Sequence, residues 1–64
     1  MTDYARYVRR YLTEAGWQFE RHGKGDHGRW VNPVTGQHVT VDADIRSRHT
    51  ANVVLKQAGI GKKF

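Results

Sequence analysis

The stretch HGRWVNPVTGQHVTVD, residues 27–42, has the pattern of two short strands joined by a turn. In its second half, Val39 and Val41 alternate with polar residues, which is typical of a strand with one buried face. The middle segment NPVTGQ contains Pro33 and Gly36, two residue types that favour a connection between strands. The stretch therefore predicts a β-hairpin.

A third strand is predicted immediately before this hairpin. In WQFERH, residues 17–22, Trp17 and Phe19 alternate with polar residues, and we expect both aromatic side chains to point inward. The next residues, GKGD, have the composition of a turn into HGRWVN. Three short strands that follow one another directly predict an antiparallel meander.

Helical patterns flank the three strands. Before them, apolar residues recur at the spacing of one helix face, with Thr2 or Asp3 as the cap and Gly16 just past the end. After them, TANVVLKQAG has the same spacing, with Thr50 or Ser47 as the cap. The first stripe comprises Tyr4, Tyr7, Val8, Tyr11, Leu12 and Ala15, and the second comprises Ala51, Val54, Leu55 and Ala58.

The predicted order is therefore α-β-β-β-α, an α+β fold with two helices on one face of a three-stranded antiparallel sheet. We expect the three tyrosines to pack in the core rather than to form a base-stacking platform, because they share their stripe with Val8 and Leu12. Residues 1–60 are expected to form a single domain, and residues 61–64 a short basic tail that frays.

Composition excludes several classes of protein. The 64 residues include no cysteine, which rules out disulfides, thiolate metal sites and a cysteine nucleophile. A chain of this length forms a thin core, so we expect no cofactor. The charged N-terminal stretch and the lack of a long apolar run predict a soluble, cytoplasmic protein without a membrane partner.

The positive charge is concentrated in the last third of the chain. The formal net charge is +5, yet residues 1–44 contain six basic and six acidic residues. Residues 45–64 contain no acidic residue. Such a one-sided basic region suits nucleic acid or an acidic protein partner. Its basic residues are Arg46, Arg48, Lys56, Lys62 and Lys63.

The turn and strand GKGDHGRW, residues 23–30, carry the residues with the most chemistry. His27 can accept and donate a proton, while Lys24 and Arg29 can bind phosphate. The alternation of a strand places His27 and Arg29 on one face, and Gly28 and Trp30 on the other. If Trp30 packs beneath the helices, His27 and Arg29 share the open face of the sheet.

Such a site could cleave RNA without a metal. RNA carries its own nucleophile, the 2′-hydroxyl, so cleavage needs proton transfer at two oxygens and stabilisation of the charge on the phosphorus centre. A histidine with neighbouring cations supplies these elements. The four histidines are spaced by 5, 11 and 11 residues, which matches no zinc pattern, so no metal is predicted.

Four stretches resemble the HicA (YcfA-like) toxins of bacterial toxin–antitoxin systems: YLTEAGWQFERH, GKGDHGRWVNP, TGQHVTVD and LKQAGI. They run from about Tyr11 to Ile60 in the order of that family. In two places the chain departs from the family pattern: Asp26 stands where serine is common, and Gly28 where many members have a polar or basic residue.

The resemblance implies a fold like that of double-stranded-RNA-binding domains, a metal-independent mRNA interferase activity and a HicB-like antitoxin that covers the active site. The catalytic histidine of the family falls on His27. The resemblance also gives the last helix a role, because basic residues near the start of that helix meet phosphates in double-stranded-RNA-binding domains. Arg46, Arg48 and Lys56 are the candidates here.

Two other functions fit the same sequence. One is an RNA-binding module of this fold that performs no chemistry. The other is an interaction protein whose basic face serves only an acidic partner.

Overall fold

The computed structural model describes residues 3–23 and 27–64. It has the predicted order, with α1 (Tyr4–Glu14), β1 (Gln18–His22), β2 (His27–Val31), β3 (His38–Asp42) and α2 (Arg48–Gln57). The three strands form one antiparallel sheet in the order β1-β2-β3. The prediction of an α-β-β-β-α fold is confirmed.

Both helices pack on one face of the sheet, and they contact β3 as well as each other. Their small and branched side chains allow this close approach. The core consists of buried residues from both helices, from β2 and β3, and from the connections that precede β1 and α2: Ala5, Val8, Leu12, Trp17, Trp30, Val39, Val41, Ile45, Ala51, Val54 and Leu55. Strand β1 contributes no buried residue, because it lies beyond the edge of the helix layer.

Position at this edge explains why one prediction for β1 is wrong. Trp17 is buried as expected, but Phe19 is 46% exposed. Phe19 pairs with Trp30, so its side chain does project to the helix side of the sheet. No helix covers it there, and the register shifts between Phe19 and Arg21.

Tyr4 and Tyr11 pack against the core as predicted, whereas Tyr7 does not. The fully buried side of the helix is formed by Ala5, Val8 and Leu12, whereas Tyr7 is 44% exposed. Tyr4 and Tyr11 flank the core, and each makes an edge contact with the ring of Phe64, with centroids 5.1 and 5.8 Å apart. These tyrosines therefore form a binding surface for the end of the chain.

The C-terminal tail is packed and not frayed, contrary to expectation. The Asn52 side chain on α2 holds it, since Nδ2 donates to the Phe64 carbonyl oxygen at 3.1 Å. Oδ1 of the same side chain accepts from the backbone N–H of Lys63 and of Phe64, at 3.2 and 3.1 Å. Together with the tyrosine contacts, these bonds fix residues 61–64 against both helices.

The caps of the helices follow the sequence closely. Ser47 caps α2 by accepting from the Thr50 N–H at 3.3 Å. Past the helix ends, Gly16 and Gly59 have positive φ angles of 91° and 76°, the conformation that glycine adopts most readily at this position. Within the described part of the chain, neither helix reaches the length and apolarity of a membrane-crossing segment.

Asp3 caps α1 and also ties it to the connection before α2. Its Oδ1 accepts from the Ala5 N–H at 3.0 Å and from the Ile45 N–H at 3.3 Å. The Tyr4 N–H donates to the Ile45 carbonyl oxygen at 2.8 Å, which completes the junction. The backbone N–H of Ile45, and then that of Ala5, lower the pKa of Asp3 below its ordinary value of 3.8.

This junction predicts an acid-sensitive contribution to stability. Because the folded pKa of Asp3 is lowered, its contribution is complete above pH 3.8 and is lost as the pH falls through the folded pKa. Thermal unfolding followed by circular dichroism should give a lower Tm for Asp3→Ala than for the wild type at neutral pH, with the difference shrinking in acid. Asp3→Asn keeps an acceptor oxygen and should lose less. Equal melting of Asp3→Ala and the wild type at both pH values would contradict this role of Asp3.

Candidate active site

His27 opens β2 and lies on the face of the sheet away from the helices. The strand register pairs it directly with Asp42, the last residue of β3. Its Nδ1 is hydrogen-bonded to Oδ1 of the Asp42 carboxylate. The two side chains are 50% and 52% exposed, so a ligand on this face can reach the ring.

The carboxylate assigns a role to each nitrogen of the imidazole. An ionised carboxylate only accepts hydrogen bonds, so the Nδ1 that faces Asp42 carries a proton and donates it. In the neutral ring, Nε2 then holds the free lone pair. A histidine held in this way presents Nε2 as a base, and after protonation as an acid.

The neighbours of His27 along β2 alternate as the sequence predicts. Gly28 pairs with Val41, and Trp30 with Val39, and both partners belong to the core beneath the helices. Trp30 is only 7% exposed, which confirms its predicted place in the core. His27 and Arg29 therefore share the open face, two residues and about 7 Å apart along the strand.

Arg29 lies beside an acidic side chain, Glu20, for which the sequence predicted no role. Its Nε lies 3.7 Å from a Glu20 carboxylate oxygen. Arg21 Nε lies at the same distance from Glu20, and His38 Nε2 is hydrogen-bonded to it at 3.0 Å. Glu20 thus draws three basic side chains together on the open face, and a phosphate that binds Arg29 has to compete with it.

The basic residues predicted to contact RNA near the last helix lie in two separate places. Arg46 and Arg48 follow Asp42 by four and six residues and lie exposed around the start of α2. Four residues span at most about 14 Å, so the backbone of Arg46 lies within that distance of Asp42, the strand partner of His27. Lys56 is in the last turn of α2, about 12 Å further along the helix axis than Arg48.

Lys56 consequently belongs to a different surface. It lines a shallow basic cavity of about 520 Å³ with His49, Lys62 and residues of α2 and the tail. This cavity lies on the helix layer, so the structure does not bring Lys56 together with His27. Lys24 and Asp26, the other two charged residues of the glycine-rich turn, lie outside the described residues.

Asp42 is the residue of the site that sequence reasoning missed. It reads as the polar end of the alternating segment HVTVD, and only its partner across the hairpin reveals a role. The lengths of the two strands and of the loop between them determine which residues face each other, and they could have predicted the pairing of His27 with Asp42. In residues 3–23 and 27–64, no three histidine or carboxylate side chains are grouped so that they could hold a metal ion.

Comparison with known proteins identifies the family. The family model described as HicA toxin of bacterial toxin–antitoxin matches residues 5–60, which is most of the chain. Searches of curated proteins and of solved structures gave no match. The matched residues include α1 from Ala5 onward, α2, all three strands and the paired His27 and Asp42. This chain belongs to the HicA toxin family, the toxins of bacterial toxin–antitoxin systems that pair with an antitoxin.

Proposed function

We propose that this chain is an mRNA interferase, an endoribonuclease in which His27 transfers the proton. The observation that carries the proposal is the hydrogen bond between His27 Nδ1 and Asp42 on an exposed sheet face. Membership of the HicA toxin family supports a toxic activity. As a toxin of such a system, the protein pairs with an antitoxin, and we propose that this partner is HicB-like.

The proposed reaction needs no group beyond RNA and the protein. Nε2 of His27 accepts the proton of the 2′-hydroxyl, whose oxygen attacks the adjacent phosphorus. The bond from phosphorus to the 5′-oxygen breaks, and the imidazolium returns the proton to that oxygen. The products are a 2′,3′-cyclic phosphate and a 5′-hydroxyl end.

Asp42 and the cations assist this step in different ways. Asp42 is a positioning residue that keeps the proton on Nδ1 and stabilises the imidazolium while it exists. Arg29 offers its guanidinium to the non-bridging phosphate oxygens, whose charge grows in the transition state. We propose that Lys24 assists there, and that Arg46, Arg48 and Lys56 attract the RNA backbone through salt-sensitive contacts.

The basic surface also suits the antitoxin. Residues 45–64 contain five basic and no acidic side chains, so an acidic surface is the complementary one. An antitoxin that binds residues 45–64 and also extends over the open face of the sheet would hide His27 and Arg29 from RNA. We propose that inhibition works in this way.

Replacing His27 should strongly slow RNA cleavage and leave RNA binding intact. General acid–base catalysis contributes about 10²–10⁴-fold, so His27→Ala should lose at least two orders of magnitude in the cleavage rate of a synthetic RNA. His38→Ala is the matched control, because His38 is on the same face and is also bonded to a carboxylate. Circular dichroism checks the fold of both variants.

The outcomes of this experiment separate the candidate functions. A wild-type protein that binds RNA but never cleaves it would favour a non-catalytic RNA-binding module. Equal rates for His27→Ala and the wild type would overturn the catalytic role of His27. Absence of RNA binding at any salt concentration would favour a protein that recognises only an acidic partner.

Asp42→Asn tests the positioning role. The amide can donate to Nδ1, which would move the ring proton to Nε2 and remove the free lone pair. We expect kcat to fall roughly 10- to 1,000-fold with KM little changed, together with an altered pH profile of kcat. Asp44→Asn, an exposed change two residues away, is the control. An unchanged kcat and pH profile would show that Asp42 has no part in the reaction.

Glu20→Gln should strengthen RNA binding. The change removes the charge that competes with phosphate for Arg29, and exposed ion pairs of this kind are worth about 0.2–1 kcal/mol. RNA affinity should rise roughly 2- to 5-fold at low salt, and the gain should vanish at high salt. Glu14→Gln, which releases Arg10 on the first helix, is the control. A loss of affinity in Glu20→Gln would contradict the competition.

A further inference from the structure

A small cavity lies on the helix side of the sheet, beside the edge strand β1. Its volume is about 300 Å³, and its walls include the aromatic side chains of Phe19, His22 and Trp30. Arg9 of α1 and Gly28 of β2 also line it. The proposed cleavage site uses none of these five residues.

The strongest feature of the cavity is an unpaired donor. Trp30 is 7% exposed, and its indole Nε1 is covered and has no hydrogen-bond partner among the described residues. A buried N–H without an acceptor is unfavourable, and most folded proteins avoid it. A donor of this kind in a cavity wall indicates a ligand with an acceptor.

The aromatic walls suit a flat ligand. Phe19 leaves 46% of its surface exposed, although it is a large apolar residue on the helix side of the sheet. Its ring meets those of His22 and Trp30 edge to face, with centroids 5.0 and 5.8 Å apart. A planar ligand can therefore stack on the exposed face of Phe19.

Gly28 leaves room for the rings of Phe19 and Trp30 to lie close together. A Cβ at this position would lie 3.1 Å from Cε1 of Phe19 and 3.6 Å from Nε1 of Trp30. Any side chain at position 28 would therefore press against the Phe19 ring and obstruct access to Nε1 of Trp30. Phe19 lies on the edge strand beside the shift in register, and it is 46% exposed. A turn of its ring away from Trp30 would admit an acceptor to Nε1.

We infer that this cavity binds one nucleobase of the RNA substrate, stacked on Phe19 and accepting a hydrogen bond from Trp30 Nε1. The inference rests on the proposed function, and it adds a base-binding subsite to it. Every base has a stacking face and edge acceptors, and aromatic side chains commonly bind unpaired bases in this way. The Arg9 guanidinium supplies the charge for an adjoining phosphate.

The position of the cavity fits a strand that continues from the cleavage site. Gly28 directly follows His27 in β2, but the two residues face opposite sides of the sheet. A nucleotide bound at Gly28 and a phosphate bound at His27 would therefore lie on opposite faces of the sheet, and the RNA strand would pass around the edge of the β1–β2 hairpin between them. The cavity thus selects single-stranded RNA, whose bases are free to enter it.

The two tryptophans allow a direct test in the intact protein. Each gives one indole N–H resonance in a ¹H–¹⁵N spectrum, and Trp17, in the core, serves as the internal reference. On titration with nucleoside 5′-monophosphates, the Trp30 resonance should move downfield and saturate, while that of Trp17 stays in place. Ribose 5-phosphate, which lacks a base, should leave both unmoved.

Two variants define the site. Gly28→Ala should remove the Trp30 shift, whereas Gly23→Ala, whose Cβ would touch only His27 at 3.6–3.7 Å, should keep it. Phe19→Leu keeps an apolar side chain but removes the stacking face, and it should weaken binding of a short RNA to the His27→Ala protein roughly 5- to 100-fold. Val53→Ala, an exposed change on α2, is the control.

The results distinguish a failure of the inference from a failure of the proposed function. If the wild type cleaves RNA but no nucleotide moves the Trp30 resonance, or if Phe19→Leu binds RNA as tightly as the control, the base-binding subsite is overturned. If the wild type cleaves no RNA while the mononucleotides still move Trp30, the cleavage proposal fails and the subsite stands. A Trp30 shift caused only by an acidic antitoxin would assign the cavity to a protein partner and overturn the inference.

Discussion

The register of the β2–β3 hairpin fixes the arrangement on which the candidate site depends. The loop after Val31 is closed by Asn32, whose N–H donates to the Gln37 carbonyl oxygen at 2.8 Å and whose side chain accepts from the Val34 N–H at 2.9 Å. From this closure the pairing runs without interruption to His27 and Asp42. A slip of one residue would turn the side chains of one strand to the opposite face and separate the imidazole from its carboxylate.

The sheet consequently has two surfaces with different chemistry. On one, His27, Asp42 and the residues around Glu20 form a polar layer in which each imidazole is bonded to a carboxylate. On the other, the helices contact β3, and Trp30 of β2 is buried in the core, but β1 stays uncovered, which exposes Phe19 next to a buried indole. The proposed proton transfer and the proposed recognition of a base thus lie on opposite sides of one strand, at neighbouring residues.

Much of this arrangement can be read from the sequence. The strands, the helices and the alternation of His27 with Gly28 follow from local patterns, because spacing alone sets which side chains share a face. The partnership of His27 with Asp42 depends on the pairing of two strands, which local patterns leave open. The exposure of Phe19 and the packing of Phe64 depend on where the helices lie on the sheet. The alternation of apolar and polar residues along a strand does not determine that position.

The shift in register at Glu20 has a consequence for association between molecules. Strand β1 is an outer strand of the sheet, and the polar backbone groups of outer strands can pair with a strand from another chain. An irregular residue in mid-strand bends the backbone and breaks the regular spacing of donors and acceptors. A passing strand would therefore find only short regular segments to pair with, which disfavours growth of the sheet into aggregates.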